Sequence, residues 1–337
     1  MEEILKVSNL KISFQNSGEN IDIIRDVNFS IKKGEILGLV GESGSGKSVT
    51  SMAVMGLLPP NVTKIKSGSI LFKENDLLKA PKKELRKIRG NEIAMIFQDP
   101  MSTLDPAYKV GYQIEEMLLF HKKESKKGAK ERAIELLQLV GIPSPEQRYN
   151  EYPHQLSGGM RQRVVIAIAL ACDPELIIAD EPTTALDVTV QAEILDLLQE
   201  LKEKINTSIL LITHDMGVVA EMCDRVLVMY AGQIAEAATV EEIFDKPAHP
   251  YTLGLLQSTP KISETKERLY SIEGQVPSPK QMPKGCKFAP RCKFSTEKCQ
   301  ETEPSLEEVM HEHQVKCWHY TKVLAEGEVT TIDQYTS

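Results

Sequence analysis

The chain has 337 residues, a net charge of −8 and 41% hydrophobic residues. That is enough material for one large α/β domain and a smaller one, and the acidic balance argues against a protein that wraps nucleic acid. The longest strongly apolar run, residues 164–172, is about half the roughly 20 residues of a membrane-spanning helix; the N-terminus lacks a basic stretch followed by an apolar one, so the expected location is the cytosol.

Residues 1–34 alternate apolar and polar, with Ile4, Val7, Leu10, Ile12 and Phe14, then Ile24, Val27, Phe29 and Ile31. This pattern predicts antiparallel strands. Phe14 could stack on an adenine or be one more core aromatic. Residues 35–40 read as a buried strand and 49–58 as a helix. Between them Gly41-Glu-Ser-Gly-Ser-Gly-Lys-Ser48 fits G-x-x-x-x-G-K-[ST]. In a strand–loop–helix setting the loop amides and the positive end of the helix dipole point at a phosphate chain. Gly44 and Gly46 let the backbone close on it, Lys47 reaches the β and γ phosphates, and Ser48 supplies a hydroxyl to Mg²⁺. The alternative is a chance Gly/Ser-rich turn, which the four constrained positions and both flanking elements disfavour.

Further along, 82–89 reads as a charged surface helix, and the apolar run 93–97 ends in Gln98 before Asp99-Pro100 stops it. An amide there lies at the carboxyl end of a strand, where ligands of open α/β sheets sit. Residues 108–148 turn helical, with a helix over 128–140 and Gly141 as its C-cap; the basic cluster 121–127 is a solvated face. Ser157-Gly158-Gly159 opens the next helix, an anion-binding geometry that also serves as an ordinary N-cap. The buried run 176–179 delivers Asp180 and Glu181 at its end, one acid to hold Mg²⁺ and one to orient or deprotonate water. Asp187 caps a helix to about Lys204, and the run 208–213 ends in His214.

After Asp245 prolines punctuate a segment of little periodicity. Cys172 and Cys223 stand alone in apolar contexts and are expected in the core. Cys286, Cys292, Cys299 and Cys317 fall in the pattern C-x5-C-x6-C-x17-C. In a reducing compartment this reads as a metal site. Structural zinc uses closer pairs, whereas four thiolates can hold an iron–sulfur cluster; zinc, with His311, His313 or His319, and free cysteines are the alternatives. Residues 321–337 are polar and expected to form a mobile tail.

Taken in order, Gly41 to Ser48, Gln98, the 156–160 segment, Asp180 with Glu181, the 185–187 segment and His214 resemble Walker A, Q-loop, signature, Walker B, D-loop and switch histidine of the ATP-binding subunit of an ABC transporter, over about residues 1–245. The 151–163 stretch and His249-Pro-Tyr-Thr252 resemble the dipeptide and oligopeptide importer ATPases, and Met160 the D-type subunit of that pair.

The resemblance implies an α/β fold with a P-loop RecA-like core, an N-terminal antiparallel β subdomain and a helical subdomain (about 99–165) within 1–245, plus a small irregular Cys-containing domain over 246–337. It implies nucleotide contacts from Phe14, Gly41, Ser43, Gly44, Ser45, Gly46, Lys47, Ser48 and Val49. From the facing subunit it implies Ser157, Gly158 and Gly159, with Asp187 communicating across the dimer. Mg²⁺ falls to Ser48, Gln98 and Asp180, directly or through water. Glu181 is the implied general base and His214 the γ-phosphate contact. A [4Fe-4S] cluster on Cys286, Cys292, Cys299 and Cys317 is implied by the cysteine motif that some relatives carry.

The implied partners are a second ATPase subunit, identical or paralogous, two transmembrane permease subunits and, indirectly, an extracytoplasmic binding protein, at the cytoplasmic face of the membrane and without nucleic acid. Rival functions are an importer of nickel or another small solute, a non-hydrolysing regulatory subunit, and a non-transport ABC-type ATPase. Chromosome-structuring members of that last class carry a long coiled coil between the Walker motifs, and the interval from Ser48 to Asp180 has no sustained heptads.

Overall fold

The computed structural model describes residues 2–16, 18–184, 186–259 and 271–326, together with 332 and 335. Twelve strands form among the described residues: β1 (Glu3–Asn16), β2 (Glu19–Lys32), β3 (Ile36–Val40), β4 (Thr63–Phe72), β5 (Asn75–Asp76), β6 (Ile93–Ile96), β7 (Leu176–Asp180), β8 (Ser208–Thr213), β9 (Arg225–Tyr230), β10 (Gln233–Thr239), β11 (Glu307–Met310) and β12 (His313–Val315). The chain divides into two compact units. One is built mainly on Lys79–Leu210, the other on Glu3–Ile31, Glu35–Leu78 and the described residues from Leu211 onward.

In the first unit β6 runs parallel to β7, with β8 on the other side of β7. Every residue of these three strands is buried. Parallel strands covered on both faces lose the polar–apolar alternation of a half-exposed strand, which is why each reads as a continuous apolar run. The rest of this unit is helical. The helix Lys126–Leu139 begins at Ser125, whose hydroxyl accepts the Gly128 N–H, and ends at Gly141 in the left-handed region (φ 72°). The 18-residue helix Val188–Ile205 starts at Asp187, whose carboxylate accepts the Val190 N–H at 3.0 Å.

The second unit carries a four-stranded sheet in the order β2-β1-β4-β5, in which β1 and β4 are antiparallel; the alternation in residues 1–34 marks its first two strands. A second sheet runs β11-β12-β10-β9-β3, with β3 parallel to β9 and the remaining pairs antiparallel. The segment after residue 245 therefore contributes two strands to a sheet that also contains the strand preceding the glycine-rich loop. Strands β9 and β10 are joined by Ala231 and Gly232, both at positive φ (49° and 82°), the backbone of a two-residue type I′ hairpin. A Cβ on Gly232 would stand 2.0 Å from the Ile23 carbonyl oxygen.

A buried polar cluster ties β10 to the C-terminal strands. Glu236 is fully buried; it accepts the N–H groups of Ala248 (2.6 Å) and His249 (2.9 Å) and stands 2.7 Å from His313 Nε2. His313 thus lies in the core and is no ligand beside the cysteines, as the zinc alternative had it. His249 Nδ1 accepts the Tyr251 N–H at 3.0 Å and caps the helix Pro250–Ser258. That bond needs an unprotonated Nδ1, and burial pushes the imidazole down to about 4. The unfolded chain takes up its proton near the ordinary histidine value of about 6.5. The stabilisation from neutral His249 is therefore complete above pH 6.5 and is lost as pH falls towards 4, at roughly 1.4 kcal/mol per pH unit. Thermal midpoints between pH 7.5 and 4.5 should fall less steeply in a His249→Asn variant, whose side-chain oxygen can keep the cap.

Two expectations are corrected. Residues Tyr320–Glu326 form a helix with Val323 fully buried, and Tyr335 packs on Phe244 and donates its hydroxyl to the Leu256 carbonyl at 3.1 Å, so these parts of the 321–337 stretch are anchored, not a free tail. The helix after the glycine-rich loop spans only Lys47–Val54, because Gly56 turns left-handed (φ 59°) and Pro59-Pro60 follow. Cys172 and Cys223 are buried, as expected. No helix among the described residues is long and apolar enough to cross a membrane.

Candidate nucleotide site

The loop 41–46 leaves the buried end of β3 and enters the helix Lys47–Val54 at Gly46, which is left-handed (φ 109°). Gly41 has φ 152°, and a Cβ there would lie 2.2 Å from the Met229 carbonyl oxygen; only glycine lets β3 and the loop pass β9 so closely. The Lys47 side chain is buried and its Nζ donates to the carbonyls of Gly41 (2.6 Å) and Glu42 (3.3 Å). The ammonium is thereby folded back over its own loop, the placement of a cation that meets a phosphate chain. Ser43, Gly44 and Ser48 are exposed, Val49 is half-buried, and Ser45 is buried beneath the loop.

The loop is braced from outside. Gly232 of the hairpin donates its N–H to the Ser45 carbonyl at 2.8 Å. The Glu42 N–H donates to the Tyr251 hydroxyl at 2.7 Å. The Glu42 carboxylate takes a two-pronged ion pair from Arg291, with Nη1–Oε2 2.6 Å and Nη2–Oε1 3.1 Å. Phe14 is half-buried on β1 opposite Thr63, and His214 follows β8 with an exposed side chain. Both belong to the unit that holds the loop.

The other unit assembles a carboxylate cluster. Asp180 is the last, buried residue of β7. Glu181 follows at φ 49°, a left-handed conformation that costs a non-glycine residue roughly 1–2 kcal/mol and turns its side chain out of the strand. Its Oε2 accepts from Gln98 Nε2 (2.9 Å) and from Thr184 Oγ1 (3.0 Å). The structure thus brings together the ends of β6 and β7, while Asp99 caps the short helix after Gln98 by accepting the Met101 N–H. Ser157 uses its hydroxyl to accept the Met160 N–H, the ordinary N-cap role, with Gly158 exposed beside it. A Cβ on Gly159 would stand 2.7 Å from Val190 Cγ1.

The sequence pattern singles out Lys47, Gln98 and Glu181 but misses the roles of Gly232, Tyr251, Thr184 and Arg291. Of these, Thr184 lies three residues from Glu181 and is within local reach; the others come from distant segments, and although Tyr251 stands in the His249-Pro-Tyr-Thr252 stretch, nothing local ties any of them to the loop.

The four late cysteines line one apolar pocket with Phe288, Phe294 and Trp318. Burial pushes the thiols of Cys286, Cys292 and Cys317 up, the last two to about 11 and about 12. Backbone N–H groups of Phe288, Phe294 and His319 point at these three sulfurs and oppose that shift. His319 Nε2 is hydrogen-bonded to Thr296 Oγ1 at 2.9 Å. Among the described residues no three His, Cys, Asp or Glu groups stand arranged to hold a metal ion. The soft donor set and its N–H donors fit a thiolate-bound group; the geometry places the thiols together without forming a coordination shell.

Residues 24–184 match the ABC transporter family and 235–299 the oligopeptide/dipeptide transporter C-terminal region. The chain is 53% identical to the oligopeptide transport ATP-binding protein AppD of Bacillus subtilis over 97% of its own length and 99% of the relative's. It belongs to the ATP-binding proteins of oligopeptide and dipeptide ABC transporters. The dipeptide transport ATP-binding protein DppD of B. subtilis, a member of this family, is 52% identical over 94% of the chain and 95% of the relative. Among solved structures, an ATP-binding cassette dimer in a post-hydrolysis state with ADP and Pi aligns with TM-score 0.63 and 31% identity, over 70% of this chain and 98% of the other. The structure of cbiO1 from Clostridium perfringens, described as part of the ABC transporter complex cbiONQ, aligns with TM-score 0.63 and 30% identity, over 72% of this chain and 91% of the other. The family places the chain among ATP-hydrolysing cassettes and accounts for the mixed α/β fold with an antiparallel β subdomain.

Proposed function

We propose that the chain is the ATP-hydrolysing, energy-coupling subunit of an ABC importer for dipeptides or oligopeptides. The observation that carries this is the joint match of both chain regions to relatives named for peptide transport, over nearly the whole of each chain. In this reading the amides of the 41–48 loop and the Lys47 ammonium bind the phosphates of ATP, with Phe14 against the adenine. Mg²⁺, held by Ser48, Gln98 and Asp180, would neutralise charge building on the β and γ phosphates. Glu181, its carboxylate oriented by Gln98 and Thr184, accepts the proton of the attacking water, and His214 contacts the γ-phosphate.

A second cassette, identical or paralogous, supplies Ser157, Gly158 and Gly159 to the facing site, with Asp187 at the junction. Two transmembrane permease subunits receive the movement, and an extracytoplasmic binding protein delivers the peptide. The working location is the cytoplasmic face of the membrane. The state with ATP is closed and the state after hydrolysis open, so the γ-phosphate biases a two-state element.

Reconstitution with the permease pair, the second cassette and a peptide-binding protein tests this. ATP hydrolysis and uptake should both rise with added peptide. Stimulation by nickel and not by peptide would transfer the chain to the small-solute branch; hydrolysis indifferent to the permeases would remove the transport role.

The same reading assigns Cys286, Cys292, Cys299 and Cys317 to a soft-metal centre, with [4Fe-4S] preferred over zinc because the C-x5-C-x6-C-x17-C spacing lacks the close pairs of structural zinc sites. Its service to a segment with a small core is that of a staple. Anaerobic purification followed by iron, sulfide and zinc analysis should return about four irons and four sulfides per chain and much less from a Cys286→Ser variant. Zinc alone, or no metal, would end the cluster assignment while leaving the ATPase intact.

A further inference from the structure

The cysteine segment reaches into the nucleotide loop through one residue. Arg291 immediately precedes Cys292, yet its guanidinium is seated on Glu42, the second residue of the loop 41–48, and its side chain is only 3% exposed. Its Nε also donates to the Glu273 carbonyl at 2.9 Å, and the guanidinium lies within 6 Å of the ring centres of Tyr230 and Phe288, at 5.9 and 5.8 Å. Phe288 in turn lines the thiol pocket and packs on Tyr251, whose hydroxyl holds the Glu42 N–H. Every polar group of Glu42 is therefore taken: the N–H by Tyr251, the carbonyl by Lys47, the carboxylate by Arg291.

A carboxylate in a loop that binds a polyphosphate is electrostatically wrong unless it is neutralised. Like charges brought together weaken binding, and although the Glu42 side chain is 32% exposed, truncating its buried cationic partner leaves the carboxylate without a counter-charge beside the loop. A two-pronged guanidinium both cancels the charge and fixes its direction. We propose that Arg291 is a positioning residue for the nucleotide loop, by which the cysteine segment sets the affinity of the site for ATP. This deepens the nucleotide-site reading above and rests on it.

The test is equilibrium binding of a fluorescent ATP analogue to the full chain, with Mg²⁺, for the parent, Arg291→Ala, Glu42→Gln and the double variant, each checked for folding by its thermal transition. Arg291→Ala is expected to weaken binding about tenfold, within the usual range of coupling between sites. Removing the stranded carboxylate should undo this: the double variant should bind within about twofold of the parent, a rescue that loss of a mere staple would not show. An Arg291→Ala protein that folds and binds like the parent, or a double variant as weak as Arg291→Ala, would overturn the proposal. If Arg291→Ala does not fold, Arg291→Gln with and without Glu42→Gln takes its place, and the same rescue or its absence decides. Failure of the parent itself to bind would instead overturn the nucleotide-site reading on which this one stands.

Discussion

Replacing Glu181 with Gln is expected to lower the turnover of ATP hydrolysis by on the order of 10²–10⁴-fold, the usual contribution of a positioned general base, with little change in ATP affinity. The carboxylate stands at the end of β7 with one oxygen fixed by Gln98 and Thr184 at 2.9 and 3.0 Å. Gln keeps the size and can present its amide oxygen to those same two donors, but it cannot take a proton from water. The loop, Lys47 and the Tyr251 brace belong to other segments and are untouched, so binding should survive. Phosphate release under saturating ATP, compared with equilibrium binding of the same nucleotide, separates the outcomes. A parallel loss of affinity and turnover would mean that Glu181 holds nucleotide or metal and does not act as the base. Thr184→Val offers the smaller companion effect, since it removes one of the two groups that aim the carboxylate.

The second large effect concerns stability. Glu236→Leu is expected to cost about 3–5 kcal/mol, the range seen when one partner of a buried polar cluster is removed. The carboxylate is fully buried and serves three donors: the N–H groups of Ala248 and His249 and the imidazole Nε2 of His313. Leucine fills the space but satisfies none of them, and each orphaned donor carries a desolvation cost of about 1–3 kcal/mol. Against a total stability of roughly 5–15 kcal/mol this is a severe change. Urea unfolding followed by intrinsic fluorescence should show the midpoint falling sharply, and Glu236→Gln should fall less, because an amide oxygen still serves some of the donors. A Leu variant as stable as the parent would mean that the donors find other partners.

The consequence reaches the nucleotide loop. Glu236 holds the start of the helix that carries Tyr251, and Tyr251 holds Glu42. A chain loosened at Glu236 should therefore bind nucleotide less tightly even where it remains folded.

The parts of the molecule governed by local backbone chemistry are legible in the residues alone. The glycine-rich loop reads directly, because a close approach such as that of Gly41 to the Met229 carbonyl admits no Cβ. The caps at Ser157 and Asp187 follow the same logic, since a side chain that accepts an N–H three residues on needs nothing beyond its own turn. The doubly covered strands β6, β7 and β8 are visible as apolar runs leading to polar residues, Gln98, Asp180 with Glu181, and His214. Which remote residues brace these pieces is a matter of tertiary packing. Arg291 meets Glu42 across 249 positions, Tyr251 meets it across 209, and His313 meets Glu236 across 77. Such pairs are set by which elements pack beside one another, and no local pattern joins the two partners, although Glu42 and Tyr251 each stand in a recognisable stretch: Arg291 reads as one more surface cation beside a cysteine, and His313 as a spare ligand. The cysteines show both sides. Their number and spacing stand in the sequence, but that four thiols face one apolar pocket depends on how the intervals of 5, 6 and 17 residues between them fold back. No periodicity records that, because the closure of a loop is a property of the packing around it.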